Sequence, residues 1–161
     1  RLIRARQSVD RAVLLFQKEV AQRLVVGPGS KDYGRLSVML QYCADVKKVV
    51  TVGPHLFLPK PKVASEVIEI RFKDVIIEPA ADERLLSAVV KAAFSTRRKT
   101  LKNALMNMEM NIHADTITRV LADAGIDPSR RAETLSVGEF VALSNRFYET
   151  LLKVPVSPAS C

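Results

Sequence analysis

The sequence contains no tryptophan, only two cysteines and no long run of apolar residues. Cys43 and Cys161 are too few for the disulfide framework that holds small secreted domains together. No apolar segment approaches the ~20 residues that a membrane-spanning helix needs. The chain opens with RLIRARQ, which lacks the charged-then-apolar pattern of a signal peptide. We therefore expect neither a disulfide scaffold, nor a membrane protein, nor a leader.

Basic residues are in excess. The chain has 161 residues, a net charge of +8 and a pI near 9.8, with 48% hydrophobic and 26% charged residues. The length is sufficient for one domain of ordinary size, or for one domain plus a small helical appendage, and the composition is typical of a soluble globular protein. Residues 1–78 hold 14 basic and 8 acidic side chains. Such a balance favours a polyanionic partner, nucleic acid before an acidic membrane surface.

The first half alternates between strand and helix patterns. The apolar run AVLLF at 12–16 is typical of a strand covered on both faces. The segment KEVAQRLVV predicts a helix, and the later segments 46–52 and 65–72 favour strands. A second helix is expected to bury the stripe Leu36, Met39, Leu40 and Cys43. The predicted strands are 12–16, 46–52 and 65–72, with an extended proline-rich segment, HLFLPKPKV, before the last of them.

After Pro79 the apolar spacing becomes helical and remains so. Ser95 and Thr96 are the expected N-terminal cap of one helix, and Gly125 the expected end of another. Ser136 and Glu139 predict a capping box at the start of the last helix. The expected buried stripes are Leu85, Val89 and Ala92; Leu101, Ala104, Leu105 and Met108; and Ile117, Val120, Leu121 and Ala124. The tail after Lys153 is expected to be loose.

Three strands are few for apolar runs of this kind, which need more neighbours. We therefore predict an α+β chain. Its residues 1–78 would be the trailing edge of a larger sheet, and its residues 79–161 a helical domain.

Motifs for catalysis and metal binding are missing from the sequence. It has no G-x-G-x-x-G after a strand, no P-loop and no zinc-type Cys/His spacing. His55 and His113 are isolated. We predict no catalytic, cofactor-binding or metal-binding residue in this chain.

Two features point toward nucleic acid. Arg97, Arg98, Lys99 and Lys102 form a basic cluster, with Arg98, Lys99 and Lys102 contiguous on a helical wheel, and such a face can neutralise phosphates. The alternative is an ordinary solvated face. Phe57 lies beside two prolines and is flanked by Lys60 and Lys62, an arrangement suited to stacking on an unpaired base. The alternative is a core phenylalanine whose neighbouring prolines only end a strand.

Four segments in this order resemble the bacterial small-subunit ribosomal RNA adenine dimethyltransferase family, the kasugamycin-resistance dimethyladenosine transferases. They are LLFQKEVAQRLVVGPGSKDYGRLSVMLQY, FLPKPKVASEVIEIRF, FSTRRKTLKNAL and GIDPSRRAETLSVGEFVALSNRF. The resemblance extends from about Ala12 to Phe147. It implies a class I, Rossmann-like methyltransferase sheet, of which 1–78 would be the C-terminal portion. A small all-helical domain that faces rRNA would follow.

The resemblance also implies an activity: transfer of methyl groups from S-adenosylmethionine to N6 of two adjacent adenosines near the 3′ end of small-subunit rRNA. Phe57 would pack against the target adenine, and the basic cluster would face the rRNA. The family's cofactor loop and catalytic motif precede the QKEV segment, so we expect this chain alone to be inactive and to lack the cofactor site. Lys60 and Ala64 stand where the family usually has proline and aspartate.

The expected partners are small-subunit rRNA and the 30S subunit, with the protein monomeric and cytoplasmic. The alternatives are a non-catalytic nucleic-acid-binding module, like the transcription-factor relatives of this family, and a basic adaptor.

Overall fold

A computed structural model describes residues 2–108 and 112–153 of the chain. The chain divides into two compact units, Arg1–Ile77 and Glu78–Cys161. Among the helices in those ranges, none is long and apolar enough to cross a membrane. Cys161 and the tail predicted to be loose lie outside the described residues.

The first unit contains a three-stranded antiparallel sheet. Its strands are β1 (Arg11–Gln17), β2 (Ala44–Val52) and β3 (Ser65–Phe72), and they lie in the order β1-β3-β2. Ile68 lies opposite Leu14 of β1, and Ile70 lies opposite Val46 of β2. The three predicted strands are thus confirmed: β1 is one residue longer at each end, β2 begins two residues earlier, and β3 has the predicted bounds.

One face of this sheet is covered by two helices, α1 (Lys18–Val25) and α2 (Arg35–Cys43). Ile68, Ile70 and Phe72 alternate along β3 and are buried on that face. The expectation that β1 is covered on both faces is wrong for this chain. Val13 and Leu15 point to the opposite face and remain 52% and 49% exposed.

The predicted apolar stripe of α2 is also partly wrong, because Leu36 is 51% exposed while Ser37 is buried. The cause is the carboxyl end of α1, where the last carbonyl groups lack partners within the helix. Ser37 donates a hydrogen bond to the Arg23 carbonyl, and Gln41 donates to the carbonyls of Leu24 and Val26 at 3.1 and 2.9 Å. These bonds turn the Ser37–Gln41 side of α2 inward and leave Leu36 facing solvent.

The second unit is helical in the residues described. Its helices are α3 (Glu83–Ala93), α4 (Leu101–Leu105), α5 (Ala114–Asp123) and α6 (Val137–Lys153). Two predicted ends are confirmed. Gly125 adopts φ +68° after α5, and the next amide, of Ile126, bonds to the Leu121 carbonyl at 2.9 Å. Helix α6 begins with the expected capping box of Ser136 and Glu139. The described residues of both units together form an α+β fold.

The second unit buries every predicted stripe residue except Ala124, which caps α5 and is half-buried. Phe140 of its core lies next to the half-buried Phe94, with the ring centroids 5.7 Å apart. The cap expected at Ser95 and Thr96 is wrong. Helix α4 begins later, where Thr100 accepts a hydrogen bond from the Asn103 amide at 3.5 Å.

Candidate nucleic-acid interface

The loop between β2 and β3, residues 53–64, carries the aromatic candidate. It starts with a single 3-10 turn at Pro54–Leu56 rather than the extended segment predicted there. The amides of Leu56 and Phe57 bond back to the carbonyls of Gly53 and Pro54 at 3.2 and 3.3 Å. At the other end, the Lys18 amide bonds to the Ala64 carbonyl at 3.0 Å. Backbone hydrogen bonds therefore hold both ends of this loop.

Phe57 is half-buried in the β2–β3 loop and does not belong to the core of the first unit. Lys60 and Lys62 are exposed. Residues 53–64 include these two lysines and His55 but no acidic residue. The loop thus presents an aromatic side chain and positive charge on a backbone stiffened by prolines, which is the surface that an unpaired base and its phosphates require.

The basic candidates of the second unit lie elsewhere than the sequence predicts. Arg97, Arg98 and Lys99 are exposed in the turn that precedes α4, not on a helix, and Lys102 is half-buried in the first turn of α4. The turn is closed by the Lys99 amide, which bonds to the Thr96 carbonyl at 3.1 Å. The helical wheel for these residues is therefore wrong, although Arg97, Arg98 and Lys99 are exposed.

A second loop, residues 128–131, is bonded to the start of α4. The amides of Leu101 and Lys102 donate to the carbonyls of Arg130 and Pro128, at 2.7 and 3.3 Å. The neighbouring Arg131 is exposed. These bonds join the loop that carries Arg131 to the start of α4, directly after the basic turn, which makes Arg131 a further candidate. Sequence reasoning missed this residue because its neighbours are set by tertiary hydrogen bonds; the only local signal is the pair of arginines in PSRR.

The position of loop 128–131 depends on a hydrogen-bond network around Glu139. Arg130 donates to both carboxylate oxygens of Glu139 and, at 2.7 Å, to the Thr134 carbonyl. Glu139 also accepts the Ser136 amide at 2.7 Å in the capping box. The hydrogen bond from Arg130 lowers the pKa of Glu139, partial burial opposes this, and the Ser136 amide lowers it further.

This network makes the second unit sensitive to acid. Because the pKa of Glu139 is lower in the folded state than its usual value of 4.5, its stabilising contribution is complete above about pH 4.5 and is lost as the pH falls through the folded value. We expect Glu139→Gln to lower the free energy of unfolding by about 1 kcal/mol at pH 6. The difference from wild type should shrink toward pH 3. Thermal melting of the variant and the wild type between pH 3 and 6 measures the destabilisation and its dependence on pH.

Glu149→Gln is the matched control, because Glu149 lies on the same helix in an exposed pair with Arg146 at 2.8 Å. An exposed pair contributes little, so this variant should melt close to wild type throughout. A Glu139 variant whose deficit is the same at pH 3 and pH 6 would contradict the assignment of the acid sensitivity to its carboxylate.

A third charged cluster lies on the uncovered face of the sheet. The nearly buried carboxylate of Glu69 contacts Arg11 at 2.6 Å, Lys47 at 2.7 Å and Arg71 at 3.6 Å. The hydrogen bond from Lys47 lowers the pKa of Glu69, against the opposing effect of desolvation. The exposed Val13 and Leu15 share this face, because they pair with Glu69 and Val67.

Metal chemistry has no support in the described parts of the chain, where no three His, Cys, Asp or Glu side chains could hold an ion. His55 and His113 are exposed. The candidate RNA-binding residues form two sets: Phe57, Lys60 and Lys62 in the first unit, and Arg97, Arg98, Lys99, Lys102 and Arg131 in the second.

An α+β chain with a small antiparallel sheet and exposed basic loops is compatible with a protein that acts on nucleic acid. Comparison with known proteins defines the class further. Residues 1–148 match the family model described as ribosomal RNA adenine dimethylase. The chain belongs to the ribosomal RNA adenine dimethylase family.

Individual relatives agree with this assignment. The chain is 50% identical over 147 residues to ribosomal RNA small subunit methyltransferase A of Desulforapulum autotrophicum, covering 91% of this chain and 52% of that protein. It is 43% identical over 147 residues to the protein of the same name from Bacillus cytotoxicus, covering 90% and 50%. The chain thus spans about half the length of these curated relatives.

A solved structure also resembles this chain. The crystal structure of a dimethyladenosine transferase from Plasmodium falciparum superposes with a TM-score of 0.76 at 26% identity, covering 92% of this chain and 62% of that one. A 23S rRNA methyltransferase, ErmE, has the same fold at a TM-score of 0.58 and 20% identity, with coverages of 85% and 54%.

Proposed function

We propose that this chain is the C-terminal, RNA-facing part of an S-adenosylmethionine-dependent rRNA adenine N6-dimethyltransferase. Its targets would be two adjacent adenosines near the 3′ end of small-subunit rRNA. The observation that carries the proposal is the family match over residues 1–148. It is joined by 50% identity to a small-subunit methyltransferase of about twice this length.

The unpaired edge of β1 supports the proposal that this sheet is part of a larger, Rossmann-like sheet. In the described residues β1 pairs with β3 alone, so its other edge has free backbone donors and acceptors. Val13 and Leu15 of the same strand are exposed, as are Val49 and Val50 of β2. Exposed apolar side chains on an edge strand are costly in water, and further strands and helices of a larger sheet would cover them.

We infer that the residues described by the structure do not form a cofactor site of the class I type. Such a site needs a glycine-rich turn directly after a strand and an acidic side chain for the ribose. Gly27 and Gly29 follow helix α1 instead, and Gly29 with φ +86° serves the turn toward α2. The preceding half of the enzyme would therefore supply the cofactor site and the catalytic motif, and residues 1–78 would complete its sheet.

The first unit would contribute to binding of the target base. Phe57 is half-buried on an anchored loop, so its ring is available to a base that has left its stack. Lys60 and Lys62 are exposed beside it and would meet the flanking phosphates.

The second unit would bind the body of the rRNA. Positive charge is supplied in the turn before α4, in the first turn of α4 and in the loop bonded to it, by Arg97, Arg98, Lys99, Lys102 and Arg131. Contacts to phosphate give affinity without sequence selectivity, so the choice of adenosine would depend on the first unit. The expected setting is the cytoplasm, with the enzyme acting as a monomer on the small ribosomal subunit.

The experiment that tests this function is methyl transfer from labelled S-adenosylmethionine to unmethylated small ribosomal subunits by the full-length protein. Label on N6 of adjacent adenines supports the proposal. Label on another base, or on protein, refutes it.

A further inference from the structure

Leu58, next to Phe57 in the β2–β3 loop, is a large apolar side chain that is fully exposed to solvent. Its relative exposure is 101%, the highest of the large apolar side chains in the described residues. Leu56 on the same loop is 67% exposed. Single exposed apolar residues are ordinary on protein surfaces, but here two lie on either side of the residue that is proposed to hold the target adenine.

The backbone holds Leu58 in this position. Phe57 has φ −117° and ψ 148°, an extended conformation in which consecutive side chains point to opposite sides. Pro59 follows Leu58 and keeps it out of the helical region. Phe57 is half-buried and Leu58 fully exposed, which agrees with this alternation. The loop therefore presents an aromatic ring on one side and an aliphatic side chain on the other.

The charge of the loop indicates what covers Leu58. Lys60 and Lys62 are exposed within four residues of it, and no acidic residue occurs between 53 and 64. An apolar tip on a loop that carries positive and no negative side chains complements RNA, which offers flat apolar base faces between phosphates. Leucine is one of the residues that proteins insert between bases to open a stack.

We propose that Leu58 is a wedge that occupies the gap left in the RNA stack when the target adenine turns toward Phe57. This inference rests on the proposed function. It assigns the two sides of the loop different tasks, because Phe57 receives the extruded base while Leu58 packs against the base that stays behind. Leu58 would thereby lower the cost of extrusion, which is the step that any enzyme acting on a stacked base must overcome.

The test compares two RNA hairpins, each placed in the 3′ end of the rRNA of reconstituted small ribosomal subunits, in single-turnover methylation by the full-length enzyme. One has the two adjacent adenines in their natural loop, and the other has an abasic nucleotide next to the target adenine. Leu58→Ala should slow methylation of the intact hairpin by about tenfold, because the stack closes again. Leu58→Ala should slow methylation of the abasic hairpin less than about twofold, because little stacking remains to be replaced. Leu58→Met keeps an apolar chain of similar length and should remain close to wild type on both.

Other outcomes separate this inference from the proposed function. Phe57→Ala should slow both hairpins, since the extruded base loses its ring in either RNA. A Leu58→Ala deficit that is equal on both hairpins, or absent on both, overturns the wedge. So does a clear fall in the melting temperature of that variant, which would mean that other parts of the protein bury Leu58. A wild-type enzyme that methylates neither hairpin overturns the proposed function itself.

Discussion

Phe57→Ala in the full-length enzyme should lower rRNA methylation by roughly ten- to a hundredfold. A base that leaves its stack loses stacking energy, and an aromatic ring replaces part of it, worth ~1–3 kcal/mol per base. Each ~1.4 kcal/mol corresponds to a factor of ten in rate. Phe57→Tyr should retain most activity because its ring face is unchanged. Phe57→Leu should resemble the alanine variant, since leucine fills the volume but cannot stack. Single-turnover methylation of the three variants measures these effects.

Thermal melting of the same variants separates stacking from packing. Because Phe57 is half-buried on a loop, we expect the alanine change to alter the free energy of unfolding by less than ~1 kcal/mol. A core phenylalanine would cost ~3–5 kcal/mol on truncation, with leucine restoring most of it. If the leucine variant is active and the alanine variant is unfolded, Phe57 is a core residue and the proposed adenine contact is wrong.

Loss of Arg98 and Lys102 should weaken RNA binding by removing up to two phosphate contacts. Each lost contact should make the slope of log K against log salt shallower by about 0.7–0.9. Arg98 is exposed and Lys102 half-buried at the helix surface, so the melting temperature of the double alanine variant should change little. Binding of the full-length enzyme to small-subunit rRNA across a salt series measures the slope.

Arg84→Ala combined with Arg119→Ala is the matched control. Both arginines are exposed, on α3 and α5 of the same unit, and their loss changes the net charge equally. If both double variants shift the slope alike, the effect comes from overall charge and the basic turn has no specific part. An unchanged slope in the Arg98/Lys102 variant leaves the solvated-face interpretation in place.

Local sequence signals predicted the elements that local chemistry determines. The capping box of Ser136 and Glu139 and the positive φ at Gly125 need only residues within one turn, so both were visible in the sequence. The sequence also predicts the strands, 65–72 from its approximate apolar/polar alternation and 12–16 from its continuous apolar run.

The errors occur where tertiary contacts compete with a local signal. Leu36 fits an apolar stripe. However, Ser37 and Gln41 donate hydrogen bonds to the carbonyl groups at the end of α1, and this orientation of α2 turns Leu36 toward solvent. Ser95 and Thr96 are acceptable caps, but the bonds from Leu101 and Lys102 to the carbonyls of loop 128–131 fix the helix start beyond Thr100. The same bonds associate Arg131 with the basic turn, a proximity that no pattern in the sequence contains.

The most direct measurement is transfer of labelled methyl groups from S-adenosylmethionine to unmethylated small ribosomal subunits, followed by identification of the modified nucleosides. The full-length protein should convert two adjacent adenosines near the 3′ end of the rRNA to N6,N6-dimethyladenosine. The 161-residue chain alone should transfer none, because the proposed function assigns the cofactor site to the preceding half of the enzyme. Dimethylation by this chain by itself, or binding of the full-length protein to rRNA with no methyl transfer, would contradict the account.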